Sequence, residues 1–362
     1  MRAPGISLLF AAVLVPVLGL ASCGSDDAAS VPGSSSGSTS SGSTSGGSSS
    51  GGSSSGGSSS GGSSSSSGGG DAGPKRVLKN VFVILMENHD WATVKASASA
   101  KYIKSTLVPD AAHAEQYKTP ANLHPSEPNY IWLEAGDNLG ITTDDDPGTN
   151  HRAEKEHLVT QLEAAGISWK AYAEDIDGKA CPLTSSGLWA TKHTPMLFFD
   201  DVTDTNTPSS KRCIEHVRPY SELATDLVAN KAARYNFITP NLCNDMHGEA
   251  LGIKCQIGLT DLIKRGDDWL AAEIPKIQAS AAYQDGGVIF VLWDEGDESL
   301  VSSSDGPMPM FVLSKYAKKG YTSTTSYNHS STLRTIQTIF DVPYLRGAKT
   351  SNDLSDMFTA FP

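Results

Sequence analysis

The stretch Val81-Phe82-Val83-Ile84-Leu85-Met86-Glu87-Asn88-His89-Asp90-Trp91 decides the fold. Apolar residues run unbroken from Val81 to Met86, and acid, amide and imidazole groups come directly after them. A short all-apolar run rich in β-branched residues is the pattern of a strand covered on both faces, usual at the centre of a parallel sheet. Open α/β sheets bind ligands beyond the carboxyl ends of their strands. Glu87 and Asn88 therefore stand where a site is expected.

Two more strands end in the same way. Tyr235 to Thr239 leads into Pro240-Asn241-Leu242-Cys243-Asn244-Asp245-Met246-His247, and Val288 to Trp293 leads straight into Asp294 and Glu295. If the three strands are parallel neighbours, Glu87, Asn88, Asp245, His247, Asp294 and Glu295 gather at one edge of the sheet. Several carboxylates cannot share a cleft in ionised form without a cation to offset their repulsion. Mixed oxygen and nitrogen ligands suit a divalent metal such as Zn, Mn, Fe or Ca, and the donors do not choose among these.

A hydroxyl joins them in His124-Pro125-Ser126-Glu127-Pro128-Asn129-Tyr130. Ser126 precedes an expected helix over Asn129 to Ala135 that stops at Gly136. A phosphoryl group there would meet free backbone N–H groups and the positive helix end, with Asn129 assigned to the phosphate. Serine is a poor nucleophile until its proton is removed or a metal lowers its pKa. His329, in Tyr327-Asn328-His329-Ser330, is a further candidate ligand at another helix start.

Around these pieces apolar runs alternate with helical patterns. Helices are expected over 153–165, Ser221 to Asn230 with Ser221 as cap, Asp268 to Ala282 bent or divided at Pro275, and Ser330 to Phe340 capped by Ser330 or Ser331. Strands are expected over Ile167 to Tyr172 and Met310 to Leu313. Residues 181–219 read as irregular and as a candidate cleft lining. The alternation predicts an α/β fold with a mostly parallel sheet and helices on both faces.

The chain has 362 residues and a formal net charge of −12. No basic run suggests nucleic acid as a partner. Residues 1–22 carry Arg2, an apolar run and small residues, the pattern of a secretory signal too short for a membrane span. Leu20-Ala21-Ser22-Cys23 resembles a bacterial lipobox, which would make Cys23 the lipidated first residue of an exported cell-envelope lipoprotein. Residues 33–70 contain only Gly, Ser and Thr, so 23–73 reads as a lipidated N-terminus and disordered linker with a mean reach of roughly 35 Å. A single large domain of about 290 residues is expected over 74–362. Cys181, Cys213, Cys243 and Cys255 suggest two disulfides in an exported chain. The local pairs 181–213 and 243–255 are preferred, although three pairings are open.

Seven segments in order resemble one family: LMENHDW, HPSEPNYIWLEAGD, LVTQLEAAGISWKAYAED, FITPNLCNDMHG, GDDWLAAEIPKI, VLWDEGD and YNHSSTLRTIQTIF. They are similar to the bacterial and fungal phosphoesterase family of acid phosphatases and non-haemolytic phospholipases C, within the alkaline-phosphatase-like superfamily. The likeness covers nearly all of residues 77–345. It implies a three-layer sandwich, Ser126 as nucleophile, Glu87 and Asn88 at a metal, Asp294 and Glu295 as the late acidic pair, and His329 as the late histidine. Asp245 and His247 lie in the segment expected to hold a further ligand. One departure is Asp305-Gly306-Pro307-Met308, where many relatives carry a histidine before the next strand. The expected function is a metal-dependent phosphoesterase working through a phosphoserine, acid-phosphatase-like, on a small phosphate ester. The alternatives are a phospholipase C acting on phospholipid head groups and a surface lipoprotein that binds metal or phosphate without turnover.

Overall fold

A computed structural model describes residues 76–120, 123–248, 255, 261–297 and 306–362. The signal, Cys23, the linker and Asp305 lie outside the described residues. The first strand, β1 (Asn80–Met86), forms as its apolar run predicts and is buried along nearly its whole length. After it come β2 (Ala112–Ala114), β3 (Trp169–Ala173), β4 (Val217–Pro219), β5 (Tyr235–Thr239), β6 (Gly287–Trp293), β7 (Met310–Ser314) and β8 (Thr322–Ser323). They form one sheet in the order β4-β3-β5-β1-β6-β7-β2-β8. β4, β3, β5, β1 and β6 are parallel, whereas β7 runs antiparallel to both β6 and β2.

Helices cover both faces. Val83 pairs with Phe237 on one side and with Phe290 on the other, so the three side chains share a face. Tyr130, on the Ser126–Ala135 helix, meets Phe237 edge-on at 6.4 Å, which places this serine helix on that face. Met86 alternates to the other face. The Leu262–Gln278 helix lies there, with Gly266 close against Met86.

Several boundaries differ from the sequence reading. The serine helix starts at Ser126 rather than Asn129, because Pro128 in a first turn loses no hydrogen bond. It stops where expected, at Gly136 with φ of 74°. The 153–165 pattern yields a helix only over Leu158–Ala164. Ser221 begins its helix but Tyr220 occupies the cap position. The helix expected from Asp268 starts at Leu262, where the Asp261 side chain caps the Lys264 N–H, and it passes Pro275 before ending at Gln278. The last helix runs His329–Phe340, and Asn328, not a serine, caps it in a reciprocal pair with Ser331. The short strands β2, β4 and β8 carry too few residues to show an alternation.

Both preferred disulfides are formed. Cys181–Cys213 staples the segment read as irregular, and Cys243–Cys255 joins Cys255 to Cys243, four residues past the end of β5. Among the described residues no helix is long and apolar enough to cross a membrane.

Gly266 lets the Leu262–Gln278 helix approach the loop after β5. A Cβ at this position would overlap Met246 and come within 3.0 Å of Met86 Cε. Gly266→Ala should therefore lose stability by about 1–3 kcal/mol through overpacking, against the gain of about 1 kcal/mol that alanine brings to an open helix position. A melting temperature equal to or above that of the parent would show that the helix does not pack this closely.

Candidate active site

The carboxyl ends of β5, β1 and β6 lie side by side, and their register fixes where the next residues begin. The Asp294 N–H donates to Met86 O at 3.0 Å, and the Glu87 N–H donates to Asp245 O at 2.9 Å. Acidic residues far apart along the chain thus start from one short arc of backbone. Asn88 has φ of 43°, a left-handed value that asparagine tolerates. This turn aims its N–H at Asp294 Oδ1 (3.2 Å) and its side-chain amide at Glu295 Oε1 (3.1 Å). Glu87, Asp245, Asp294 and Glu295 are all fully buried.

Ser126 comes to this arc from the helix face. It is the first residue of its helix, so its hydroxyl makes no cap and points into the site. The hydroxyl donates to Glu87 Oε2 at 3.0 Å, with Glu295 Oε1 at 3.3 Å. One turn on, Tyr130 donates to Glu87 Oε1. The Asn129 amide donates to Glu295 Oε2 at 3.2 Å, and His124 Nδ1 lies 2.8 Å from the same oxygen. The Glu127 N–H, expected to be free for a ligand, instead donates to Asp144 Oδ1 at 2.9 Å.

Two further groups arrive from the short helix Thr191–His193, within the segment read as irregular. Lys192 Nζ lies 3.3 Å from Ser126 Oγ and 2.6 Å from Asp144 Oδ2. His193 stacks on Tyr130 at 5.0 Å and sits between two acids, with Nε2 3.0 Å from Glu87 Oε1 and Nδ1 3.2 Å from Asp245 Oδ2. These are close approaches rather than aligned bonds, since neither His193 Nε2 nor Asp245 Oδ2 has a hydrogen bond of normal geometry.

Burial dominates the electrostatics. It pushes the Glu87 carboxyl well above its usual range; Asp245 and Glu295 push the same way, while Lys192 and Tyr130 oppose. Burial likewise raises Asp245 and Asp294, each helped by a neighbouring carboxylate. His193 is pushed down by burial, then by Lys192 and His247, and so is a neutral imidazole. Asn88 Oδ1, Asp245 Oδ2 and Asp294 Oδ2 are buried acceptors without a hydrogen-bonded donor. Carboxylate and amide oxygens in that state are the donor chemistry of a hard cation. Among the described residues, no three His, Cys, Asp or Glu side chains stand in a ready-made ligating cluster.

Ser126, Glu87, Asn88, Asn129, Asp294 and Glu295 are thus brought together, with Asp245 joined through His193. Two expected ligands are placed otherwise. His247 is half-buried, with Nδ1 2.6 Å from Gly248 O and its ring 5.9 Å from that of His193. His329 is buried, with Nε2 2.5 Å from the backbone oxygen of Asp294 and Nδ1 3.1 Å from the Tyr117 hydroxyl. Gly306 sits against Asp90, and Pro307 O accepts the Trp91 N–H at 2.7 Å. Lys192, His193, His124 and Asp144 are site residues that sequence reasoning misses. None comes directly after a strand, and only the cleft-lining reading of 181–219 points toward the first two.

The sequence profile of the phosphoesterase family matches residues 115–343. The chain belongs to that family. As a phosphoesterase it is a hydrolase of phosphate esters. It is 27% identical over 280 residues to a phosphatidylinositol-3-phosphatase of Mycobacterium tuberculosis, covering 77% of this chain and 82% of the relative. It is 24% identical over 278 residues to a probable acid phosphatase of Kluyveromyces lactis, covering 74% of this chain but only 59% of that protein. A Penicillium chrysogenum phosphate-repressible acid phosphatase is 24% identical over 61% of this chain and 50% of its own length. The fold is that of the alkaline phosphatase superfamily. A Vibrio parahaemolyticus member superposes with a TM-score of 0.51 at 8% identity, covering 77% of this phosphoesterase and 72% of its own chain. The phosphonate monoester hydrolase of Silicibacter pomeroyi gives 0.51 at 12% identity, covering 79% and 77%.

Beside the nucleophile candidate, Glu127 is fully buried and neither carboxyl oxygen has a hydrogen bond of normal geometry. Burial is the largest cause of a rise from 4.5 to about 9, with Asp144 and Asp145 adding to it and Asn150 and Lys192 opposing. The folded chain therefore keeps this acid protonated where the unfolded chain has lost the proton, so folding is penalised increasingly as pH rises from 4.5 to about 9. Glu127→Gln should be more stable than the parent at pH 8 and indistinguishable from it at pH 4. Denaturant midpoints at the two values check this, and a gain at pH 4 alone would reverse the sign.

Proposed function

We propose that this phosphoesterase is a metal-dependent, acid-phosphatase-like enzyme that hydrolyses small phosphate esters through a phosphoserine at Ser126. The observation carrying the reading is the Ser126 hydroxyl, held 3.0 Å from Glu87 Oε2 where three strands end. Its Oγ attacks phosphorus in line. The Oγ–P bond forms, the ester P–O bond breaks, and the hydroxyl proton passes to Glu87 Oε2, in its ionised form, and from there to solvent. The departing alkoxide takes a proton from solvent. Water then breaks the Oγ–P bond, releasing phosphate and returning a proton to Oγ. Asn129 and Asn88 orient the phosphoryl oxygens with their amides, and Tyr130 keeps the Glu87 carboxyl turned toward Oγ.

Glu87, Asn88, Asp294 and Glu295, with Asp245, are the side chains that would hold a divalent cation; His329 would steady the Asp294 backbone through its contact with that carbonyl oxygen, and His247 stands beside His193. Bound there, such a cation would neutralise charge on the transferring group and lower the pKa of the serine hydroxyl. Its presence is supported by four buried carboxyl groups, of which Asp245 and Asp294 each keep an unfilled acceptor. The mycobacterial relative is named a phosphatidylinositol-3-phosphatase, so phosphorylated lipid head groups are the second substrate class. Export fits two disulfides. Anchoring through Cys23 on the Gly/Ser tether would keep the enzyme within reach of a membrane surface.

Ser126→Ala should remove turnover of an aryl phosphate monoester by at least about 10³-fold while leaving the far-UV circular dichroism unchanged. A folded variant that still turns over the ester would take the nucleophile role from Ser126. Prolonged chelation should silence the parent enzyme, and adding back one of Zn, Mn, Fe or Ca should restore it. Full activity in a protein shown by elemental analysis to be metal-free would end the metal reading and leave Lys192 and protons to balance the acids.

A further inference from the structure

Lys192 is the one lysine or arginine, among the described residues, that bonds the proposed nucleophile. Its position is built rather than incidental. Asp144 holds Nζ at 2.6 Å through one oxygen and accepts the Glu127 N–H of the serine helix at 2.9 Å through the other. A single carboxylate thus sets the distance between the lysine and the first turn of that helix. The short helix carrying Lys192 is fixed to the same loop, because Ser185 Oγ accepts the Thr191 N–H at 3.0 Å and donates to Asp146 Oδ1 at 2.9 Å. The lysine side chain is only 15% exposed.

An ammonium 3.3 Å from Ser126 Oγ has little to do for a resting hydroxyl, which is neutral. A phosphorus bonding to that oxygen would bring its non-bridging oxygens within reach of Nζ. The other ionisable side chains bonded to Ser126, among the described residues, are the carboxyl groups of Glu87 and Glu295, which would repel those oxygens when ionised. A fixed ammonium at such a position attracts a group carrying two negative charges more strongly than a group carrying one.

Resting on the reading of Ser126 as nucleophile, we propose that Lys192, set by Asp144, grips a non-bridging phosphoryl oxygen and makes the site select dianionic phosphate monoesters over monoanionic diesters. Lys192 is then a catalytic residue in its own right, and Asp144 a positioning residue.

The test compares kcat/KM for an aryl phosphate monoester and the matching diaryl phosphate diester in the parent, Lys192→Met and Lys192→Arg. Lys192→Met should lose about 10²–10³-fold on the monoester and no more than about 10-fold on the diester. Lys192→Arg, which keeps the charge, should recover most of the monoester preference. Inorganic phosphate, titrated calorimetrically into Ser126→Ala with and without Lys192→Met, should bind at least about 10-fold more weakly when the lysine is gone. Equal losses on both esters, or unchanged phosphate affinity, would overturn the assignment. Lys192→Gln, judged by the same ratio, replaces Lys192→Met if the latter does not fold. Activity surviving in Ser126→Ala would instead bring down the nucleophile reading. An inactive Ser126→Ala with an unaltered Lys192→Met ratio would sink the lysine proposal alone.

Discussion

Four carboxyl groups buried around one serine network set the electrostatic terms for this domain. Two like charges about 4 Å apart repel by about 4 kcal/mol at an effective dielectric near 20. Two or three such pairs would match the whole stability of an ordinary domain, about 5–15 kcal/mol. Glu87, Asp245 and Asp294 therefore cannot all be ionised with Lys192, among the described residues, as the cation acting on all three, and burial drives each toward its protonated form. Tyr130, Ser126 and the amides of Asn88 and Asn129 then serve as neutral donors that hold the oxygens apart. Such an arrangement is stable but unsaturated. Its open acceptors leave room for positive charge, and Lys192 meets only part of that demand.

The backbone makes this crowding possible. β1 is paired on both sides by parallel strands in matched register, so the residues leaving β5, β1 and β6 emerge together. Just past the sheet, the Asp294 N–H donates to Met86 O at the end of β1, and the Glu87 N–H donates to Asp245 O in the loop after β5. The acids therefore begin from fixed backbone, not from mobile loop tips. An antiparallel partner at β5 or β6 would have sent one acid to the opposite edge. The antiparallel strand that does occur, β7, lies outside the trio. Rigidity of this kind is what holds mutually repelling groups in place when nothing else does.

Legibility in the sequence depends on which signals are local. Strands β1 and β6 are apolar runs with acids at one end, so their existence, direction and cargo are all readable. Ser126 and Asn129 stand out because Pro128 and Gly136 bracket a helix. Lys192 and His193 do not, because their short helix has neither an apolar period nor a strand before it, and only the fold brings it to Ser126. The helix start at Ser126 escapes the sequence for a related reason. Propensity marks a helix interior well, whereas the first turn is decided by tertiary partners such as the bond from Glu127 to Asp144. The two disulfides fall on the local pairings, yet three connectivities are equally consistent with the spacing.

A second histidine among acids, at the far end of the serine helix, shows what a completed cluster looks like. His157 is fully buried between Glu134, on that helix, and Asp201, with contacts of 2.9 and 3.0 Å, and it stacks on Phe199 at 3.9 Å. Burial works against its charge, but the bonds to Asp201 and Glu134 outweigh it and hold its pKa above the ordinary value. Arg212 and Thr160 make further Asp201 contacts. His193 also lies between two buried acids, yet its nitrogens are out of line with them and its pKa is depressed. The same residue types are therefore pushed in opposite directions. Where donors and acceptors are matched, the cluster anchors the serine helix. Where they are left unmatched, at the other end of that helix, buried acceptors stay open beside Ser126, a demand of the kind that a cation would meet.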